Sequence, residues 1–390
     1  MFPRRALQVY LYLLLFPMIL LGEEKKTICL NMIVKNERAV IKRCLNSIKP
    51  FIDYWVIVDT GSTDGTQEII RSCLTDIPGE LHEKPWINFG YNRQEALDLA
   101  KGKGDYLLLI DADEELKCFD PIPSAFAFKT SLSQDYYFAV FHERGETLES
   151  TRAILINNHI PWKWEGVLHE QLVCLEAKTF QTLQNIYYLR DTPSSARSQD
   201  PQKYRKDAKL LEEALQKEPN NSRYVFYLAQ SYCNAKDYPS ALQNYQKRAR
   251  LGGNPEEVFW SLFGIGRLQE ALTGSFDQVL QSYNQAFEYR PWRAEPLYYM
   301  SKYLLQKKLF APAYTLATAA MSLPPPTDPG YMELFVYEYG ALSLAAFAAY
   351  QLHRDQEAKH LFQTLLLQKN LPKEILEKAQ EHLKTLSSPS

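Results

Sequence analysis

One short segment constrains the fold of this chain more than any other: the apolar run Tyr106–Ile110, which ends directly in Asp111-Ala112-Asp113. A run of large apolar residues of this length is typical of a buried strand in a parallel sheet. In open α/β sheets, ligands bind at the carboxyl ends of the strands, which is where these two acids lie. Two carboxylates so close together repel each other unless a cation lies between them. The pair therefore indicates a site for Mg²⁺ or Mn²⁺ with a diphosphate as a further ligand.

Two earlier segments have the same form. Thr27–Val34 is an apolar strand candidate that ends in Lys35-Asn36-Glu37, and Trp55–Val58 is a second one that ends in the Gly- and Thr-rich segment 59–66. The glycines permit a tight turn, and Ser, Thr and Asp are good caps for a following helix. Strands that alternate with helices, each strand ending in polar residues, predict a mostly parallel, doubly wound α/β sheet with one nucleotide-sized crevice.

Four motifs occur in order along this region, and together they resemble the family 2 glycosyltransferases of GT-A fold. They are N-M-I-V-K-N-E at 31–37, V-D-T-G-S-T-D-G-T at 58–66, the W-x-x-F-x-x-x-R pattern of Trp86, Phe89 and Arg93, and L-L-I-D-A-D-E at 108–114. The resemblance covers roughly residues 27–174. It implies a GT-A domain, a nucleotide-diphosphate sugar as donor (a UDP-sugar first), a Mn²⁺ or Mg²⁺ ion, and inversion at the anomeric carbon.

The acidic residues of these motifs are the first site candidates. The resemblance makes Asp113 a metal ligand and catalytic residue, with Asp111 on the metal or on the ribose; the alternative is a helix cap or a loop acid. Asp59 and Asp64 are candidates for contact with the base and ribose, although Asp in such a turn often bonds only its own backbone. Related enzymes often carry a second acid after the first, and Thr60 occupies that place here.

Further donor contacts are predicted around these acids. Glu37 is expected to contact the ribose or to cap the following helix, and Arg93 to balance phosphate charge or to form a structural ion pair. The predicted nucleotide-sugar site also includes Val34, Asn36 and Ala112, which stand in the same motifs.

The acceptor side is predicted from a later segment. The W-x-G-x-x-H-E pattern of residues 164–170 resembles the end of the catalytic domain in this family. A neutral imidazole can complete a metal site built from acids, so His169 is a candidate metal ligand, with a purely structural histidine as the alternative. Glu170 is the candidate base for the acceptor hydroxyl, and Glu143 and Glu114 are its rivals. Trp162 and Trp164 are either a platform for a sugar ring or part of the core.

The N-terminus differs from the rest of the chain. Arg4 and Arg5 precede an apolar stretch from Ala6 to Leu21, which fits a secretory signal or a short uncleaved anchor in residues 1–24. About 16 residues are few for a full membrane span, which needs about 20. We expect association with a membrane or export to the envelope or secretory pathway, with a cytoplasmic enzyme as the alternative.

A Pro- and Ser-rich stretch, residues 191–202, is the predicted linker between an α/β domain at 25–190 and a helical domain at 203–390. In the helical part, Ala241 and Ala313 are 72 residues apart, as are Pro219 and Pro291. That equals two steps of about 36 residues, close to the period of a tetratricopeptide (TPR) repeat, in which small and aromatic residues alternate between paired helices. The second domain is therefore predicted to be an all-α array of TPR-like repeats.

Composition narrows the function classes. The formal net charge is −2, so no strong global field favours nucleic acid, and we expect no nucleic-acid partner. The six cysteines lack C-x-x-C spacing and are expected to be free thiols. Two functions remain: a glycosyltransferase whose repeats recruit an acceptor, such as a peptide or protein, and a non-catalytic interaction protein with a relic first domain.

Overall fold

The computed structural model describes residues 25–118, 124–143, 149–190, 194–326, 331–369 and 371–387. The predicted signal or anchor, residues 1–24, lies outside these ranges, as do residues 191–193 of the predicted linker. Among the helices within these ranges, none combines the length and the apolarity that crossing a membrane requires.

The N-terminal domain is built on a sheet of eight strands with the order β3-β2-β1-β4-β7-β6-β10-β5, and a separate pair, β8 and β9. The strands are β1 Ile28–Val34, β2 Tyr54–Asp59, β3 Gly79–Glu83, β4 Tyr106–Leu109, β5 Glu114–Cys118, β6 Tyr136–Glu143, β7 Glu149–Asn157, β8 Lys163–Glu165, β9 Gln171–Val173 and β10 Phe180–Arg190.

The first half of the sheet is parallel, as predicted. Strands β3, β2, β1 and β4 pair in parallel, and β1 pairs with both β2 and β4. Helices α1 (Ile41–Ile48), α2 (Thr66–Cys73) and α3 (Phe89–Leu99) lie between these strands in the chain. Both faces of the strands are covered: Leu30 and its alternate neighbours pack with α1 and α2, whereas Cys29 and its counterparts pack with α3. This two-sided burial is the reason that the strands read as unbroken apolar runs.

The second half of the sheet is mixed. Strand β7 is antiparallel to β4 and β6, while β10 is parallel to β6 and antiparallel to β5. A parallel crossover needs a dozen or more residues, and too few separate β6 from β7 for one to form. The expectation of a parallel, doubly wound sheet therefore holds for the first half of the sheet, and the sheet as a whole matches the predicted α/β class.

The second domain is all-α, as predicted. One short helix, α4 (Ala125–Thr130), belongs to the first domain. The others are α5 Lys203–Lys217, α6 Ser222–Asn234, α7 Tyr238–Leu251, α8 Pro255–Ala271, α9 Phe276–Tyr289, α10 Glu295–Gln306, α11 Phe310–Met321, α12 Ala341–Gln351, α13 Asp355–Leu366 and α14 Lys373–Ser387.

Small residues beside aromatic rings join these helices into repeats. A Cβ on Gly266 would come within 2.7 Å of the Tyr283 ring, and one on Gly264 within 3.0 Å of the Tyr245 ring. Ala241 and Ala313, the two alanines of the predicted period, are both fully buried. The repeat pattern therefore marks the positions where consecutive helices approach closely. The short connections between these helices make them antiparallel.

The two domains meet through an apolar cluster. Leu168, from the end of the α/β domain, packs with Leu211 of α5 and with Tyr224 and Leu228 of α6. The predicted acceptor-side segment therefore lies against the first helices of the repeat domain.

Candidate functional site

The candidate site lies at the carboxyl ends of β1, β2 and β4. Val34 is the register partner of Asp59, so the ends of β1 and β2 lie side by side, and β4 pairs with β1 on its other side. Because these strands are parallel, the polar residues that follow them collect at one edge of the sheet.

A cluster of three carboxylates forms the centre of this edge. Oxygens of Asp111, Asp113 and Glu114 lie within 4.8 Å of one another. Glu114 is fully buried, and the Asp111 backbone N–H donates to its Oε2 at 2.9 Å. Carboxylate oxygens are the ligands that Mg²⁺ and Mn²⁺ prefer, so this donor set fits the predicted ion.

Three arginines surround the cluster. Arg93 Nη2 lies 2.7 Å from Asp111 Oδ1, and Arg152 Nη2 lies 2.7 Å from Glu114 Oε2. Arg190 pairs with the other oxygen of Glu114. Sequence reasoning missed Arg152 and Arg190. Arg152 begins a predicted strand and Arg190 ends the predicted α/β domain, and these positions were the only signal in the sequence. Neither residue lies near the acids in the chain.

The two aspartates of the D-x-D triplet differ in ionisation. Burial raises the pKa of Asp111, but Arg93, Arg152 and Arg190 outweigh this effect and hold that pKa well below its usual range. Burial, Asp111 and Glu114 together raise the pKa of Asp113 to about 6. A divalent cation beside Asp113 would relieve this repulsion, which is a second reason that the residues fit a metal.

Asp59 combines turn chemistry with a free acceptor. Its Oδ1 accepts hydrogen bonds from the N–H groups of Gly61 (2.8 Å) and Ser62 (2.7 Å), as the structural reading expected. Its Oδ2 is buried and has no partner among the described residues. Since buried polar atoms are nearly always paired, this oxygen is a candidate for a hydrogen bond to a ligand.

Glu37 has a similar unpaired atom. Its Oε2 is buried without a partner among the described residues. Burial and the charge of Asp113 raise the pKa of Glu37 to about 7, against the opposing effect of the Ala196 backbone N–H. Residue 196 belongs to the predicted linker, which therefore lies near Glu37.

The remaining residues that were predicted to bind the nucleotide-sugar have structural roles at the strand ends and in the turns. Both oxygens of Asp64 are used, because they accept from Thr66 and from the Arg38 backbone N–H. Asn36 adopts a positive φ of 57°, and its Oδ1 accepts from the Thr63 N–H. Val34 and Ala112 are buried in the core at the strand ends, where only their backbone groups can reach a ligand.

Arg93 links the donor side to the predicted base. Its Nε lies 2.6 Å from Glu170 Oε1, while its Nη2 holds Asp111, and its guanidinium lies over the Trp164 ring at 5.3 Å. Arg93 therefore forms ion pairs on both sides. Glu114, one rival base, is paired with two arginines, and the side chain of Glu143, the other, lies outside the described part of the chain.

His169 is not brought into the carboxylate group, contrary to its predicted role as a metal ligand. Its ring stacks on Tyr227 of α6, with centroids 3.9 Å apart. Partial removal from water and the positive charges of Arg223, Arg197 and Lys203 lower its pKa, although part of the residue is exposed. Three cations around an imidazole disfavour a further cation there. Glu114 takes the third position in the carboxylate group, and its candidacy as a ligand was not predicted.

The two tryptophans of the acceptor segment belong to the core. Trp162 and Trp164 pack on the cluster of Cys29, Val56 and Leu107, and Trp162 Nε1 donates to the Asn157 carbonyl at 2.9 Å. Both tryptophans therefore pack against the core, and Trp164 also lies beneath the Arg93 guanidinium of the site.

The comparisons with known proteins agree with this architecture. Residues 29–118 match the model of the family "Glycosyl transferase family 2". Glycosyltransferase SunS of Bacillus phage SPbeta is 27% identical over 245 residues, which are 58% of this chain and 56% of that protein. An uncharacterized glycosyltransferase of Rickettsia bellii is 40% identical over 116 residues, 29% of this chain and 36% of the other. The chain thus spans about half the length, or less, of these curated relatives.

The helical region resembles solved TPR proteins. MamA aligns with 46% of this chain and 92% of its own, with 14% identity and a TM-score of 0.36. YrrB, described as a TPR protein with an unusual peptide-binding site, aligns with 47% of this chain and 82% of its own, with 14% identity and a TM-score of 0.34.

The resemblance to family 2 glycosyltransferases is confirmed by the family match for residues 29–118, which form a domain of that family.

Proposed function

We propose that this chain is an inverting glycosyltransferase that moves a sugar from a metal-bound nucleotide-diphosphate sugar to an acceptor. The observation that carries the proposal is the carboxylate cluster at the end of β4, within a domain of the glycosyl transferase family 2. Three acids that share one small space are costly for folding alone, since Asp113 makes no hydrogen bond to another side chain in the described ranges. They are explained by a cationic ligand.

The metal would be held by Asp113 and Asp111, and Glu114 is the third acid within reach. When bound, Mn²⁺ or Mg²⁺ supplies positive charge against the diphosphate of the donor. Asp113 makes no hydrogen bond to another described side chain, so its carboxylate is available without rearrangement. Asp111 is already paired with Arg93, so it would hold a metal ion only by sharing its carboxylate with that arginine.

The nucleoside would lie over the ends of β1 and β2. Asp59 Oδ2 and Glu37 Oε2, which have no partner within the described part of the chain, would supply two buried acceptors for the N–H and hydroxyl groups of a base and ribose. Nucleosides of every kind carry such donors, and a UDP-sugar is the first donor to test.

Glu170 would accept the proton of the attacking acceptor group. Its place supports this role, because Arg93 separates it from Asp111 and thus from the diphosphate side. When the diphosphate draws Arg93 toward itself, the Glu170 carboxylate is freed on the acceptor side. The acceptor belongs to the proposal only as a class: a peptide or protein recruited by the helical repeats.

The location of the enzyme is a separate part of the proposal. Residues 1–24 would act as an export signal or anchor that takes the protein to the envelope or secretory pathway, and a cytoplasmic enzyme is the alternative. Fractionation of cells that express the full chain or a chain lacking residues 1–24 distinguishes the two. Equal distribution of both chains in the soluble fraction contradicts export.

The decisive experiment is a hydrolysis screen of purified protein against UDP-, GDP- and dTDP-sugars with Mn²⁺. We expect slow, metal-dependent release of nucleoside diphosphate from one donor, abolished by EDTA and by Asp113→Asn. Absence of release from any donor, together with absence of nucleoside diphosphate binding in Mn²⁺, overturns the proposal and favours the interaction protein.

A further inference from the structure

The turn that carries Glu170, residues 166–170, contains two residues with a positive φ. His169 adopts a φ of 52° and Gly166 a φ of 105°. A positive φ is ordinary for glycine and uncommon for histidine, although histidine adopts it more often than most other non-glycine residues. The turn also meets α3 closely: the Phe89 N–H donates to the Val167 carbonyl at 3.2 Å, and a Cβ on Gly90 would lie 1.9 Å from the Gly166 oxygen.

One face of α6, in the helical domain, contacts this turn. Arg223 donates to the His169 carbonyl twice, from Nη2 at 2.8 Å and from Nε at 3.2 Å. The Tyr227 ring, one helical turn further along, stacks on the His169 ring with an interplanar angle of 14°. Residues four apart lie on one side of a helix, so both contacts come from the same surface.

Two more contacts fix the beginning of the turn. Val167 and Leu168 pack in one apolar cluster with Tyr224 and Leu228. Three successive residues of the turn are therefore held by four residues of a helix that belongs to the other domain.

Arg223 is itself held in place. Its Nη1 lies 3.2 Å from Glu257 Oε1 on α8, and its guanidinium lies over the Tyr227 ring at 4.9 Å. Glu257 also pairs with the fully buried Arg248 at 2.9 Å. The contact to His169 thus starts from the interior of the repeat array and not from a mobile surface side chain.

The residue after the held carbonyl is Glu170, whose carboxylate lies 2.6 Å from Arg93, and Arg93 lies 2.7 Å from Asp111. A continuous series of contacts therefore runs from α8 through Arg223, the His169 backbone and Glu170 to the carboxylate cluster. Without the Arg223 hydrogen bonds, the His169 backbone could leave its left-handed conformation. The Glu170 side chain would then point in a different direction.

We propose that Arg223 is a positioning residue for Glu170, and that the first repeat helices are a part of the active site and not only a module that recruits the acceptor. The catalytic part of this inference rests on the proposed function, whereas the structural part does not.

Two measurements on Arg223→Met test the inference. Glu257 keeps Arg248 as a partner in this variant, so the fold should survive; Arg223→Lys, which keeps the charge and one donor, is the conservative second variant. The control is Arg205→Met on α5, because Arg205 is exposed and has no ion-pair partner among the described residues.

The first measurement is hydrogen exchange of peptides that cover residues 163–173 in the full chain. We expect exchange there to rise by about tenfold or more in Arg223→Met, less in Arg223→Lys, and not at all in Arg205→Met, since local opening reports local contacts. Unchanged exchange in Arg223→Met overturns the inference whatever the activity of the enzyme.

The second measurement is a kinetic cycle with Glu170→Gln. We expect Arg223→Met to lower kcat by about tenfold or more with an unchanged KM for the donor, and to add little to the loss in Glu170→Gln. Additive losses, or a rise of KM alone, show that Arg223 does not act through Glu170. If the wild-type chain transfers no sugar, the proposed function fails, and the exchange result still decides whether α6 holds the turn.

Discussion

Charged side chains are buried in two regions of this molecule, and the two regions treat them differently. In the helical domain two buried arginines are each matched by a carboxylate. Arg293 Nη2 lies 2.7 Å from Glu295 Oε1, both residues are almost fully buried, and the Tyr337 hydroxyl donates to the other oxygen of Glu295 at 2.6 Å. Arg248, fully buried, likewise donates to Glu257 and to the Gly252 carbonyl.

At the carboxyl end of β4 the charges are not matched. Glu114 forms ion pairs with two arginines, and Asp111 shares three arginines with other acids. Asp113 lies beside both acids without a hydrogen bond to another described side chain. The pKa of Asp113, raised to about 6 by burial and by these neighbours, reflects the uncompensated charge.

The difference separates two uses of buried charge. A pair with complete hydrogen bonds serves the packing of the repeats, and removal of either partner is destabilising because the other is left alone. A surplus of one sign costs stability in the isolated protein and is favourable only with a ligand of the opposite sign. The comparison predicts opposite responses to charge removal in the two regions.

The largest expected effect on stability is in the helical domain. Arg293→Met leaves Glu295 buried without its cation, and we expect a loss of about 3–5 kcal/mol in the free energy of unfolding, measured in urea. The double variant Arg293→Met/Glu295→Leu should recover much of this loss, because the remaining buried charge is gone. If the double variant is no more stable than the single one, these buried charges are not a matched structural pair.

The next effect concerns transfer and not stability. Glu170→Gln keeps the size of the side chain but cannot take a proton, so we expect the rate of transfer to fall by about 10²–10⁴-fold. Donor affinity should be nearly unchanged, as for a group used only in the transition state. Single-turnover transfer and equilibrium donor binding separate the two quantities. Full turnover in Glu170→Gln means that another acid is the base, and Glu143 is then the first to test.

The carboxylate cluster should respond oppositely to the helical pairs. Asp113→Asn removes a repelled charge, so the free energy of unfolding in EDTA should stay the same or rise by about 1 kcal/mol. Calorimetric binding of nucleoside diphosphate in Mn²⁺ should weaken by about tenfold or more, since one charged ligand of the metal is lost. The exposed Asp98→Asn on α3 is the control. A destabilised Asp113→Asn with normal binding contradicts the assignment of the cluster.

The two regions also differ in how much of them the sequence could predict. Strand β4 and its D-x-D end were predictable because a strand buried on both faces, followed by polar residues, is encoded within ten consecutive positions. The repeat domain was predictable for a similar reason, since Ala241 and Ala313 recur at a fixed period wherever two helices approach closely.

The contacts that complete the site were not predictable, because they join distant parts of the chain. Arg152 and Arg190 reach Glu114 from strands that lie 38 and 76 residues further on. The environment of His169 was missed for the same reason: Tyr227 and Arg223 come from the other domain. An extended segment would direct neighbouring side chains to opposite sides. The positive φ of His169 changes that geometry, and no local pattern indicates it.

The smallest predicted effect is the pH dependence that Glu37 gives to folding. Burial and Asp113 raise its pKa from 4.5 to about 7, so the folded chain binds this proton more tightly than the unfolded chain. Between about pH 4.5 and 7 the unfolded chain has lost the proton while the folded chain keeps it, and stability therefore falls as pH rises through this window and levels off above it. Because Glu37 is partly exposed, solvent screening limits the contribution to about 1 kcal/mol.

In EDTA, Glu37→Gln should flatten this part of the urea-unfolding profile, whereas the exposed Glu68→Gln on α2 should not. A slope that is the same in wild type and Glu37→Gln would mean that the charge at the ends of β1 and β4 is already compensated. The contrast between the two regions would then be smaller than the structure indicates.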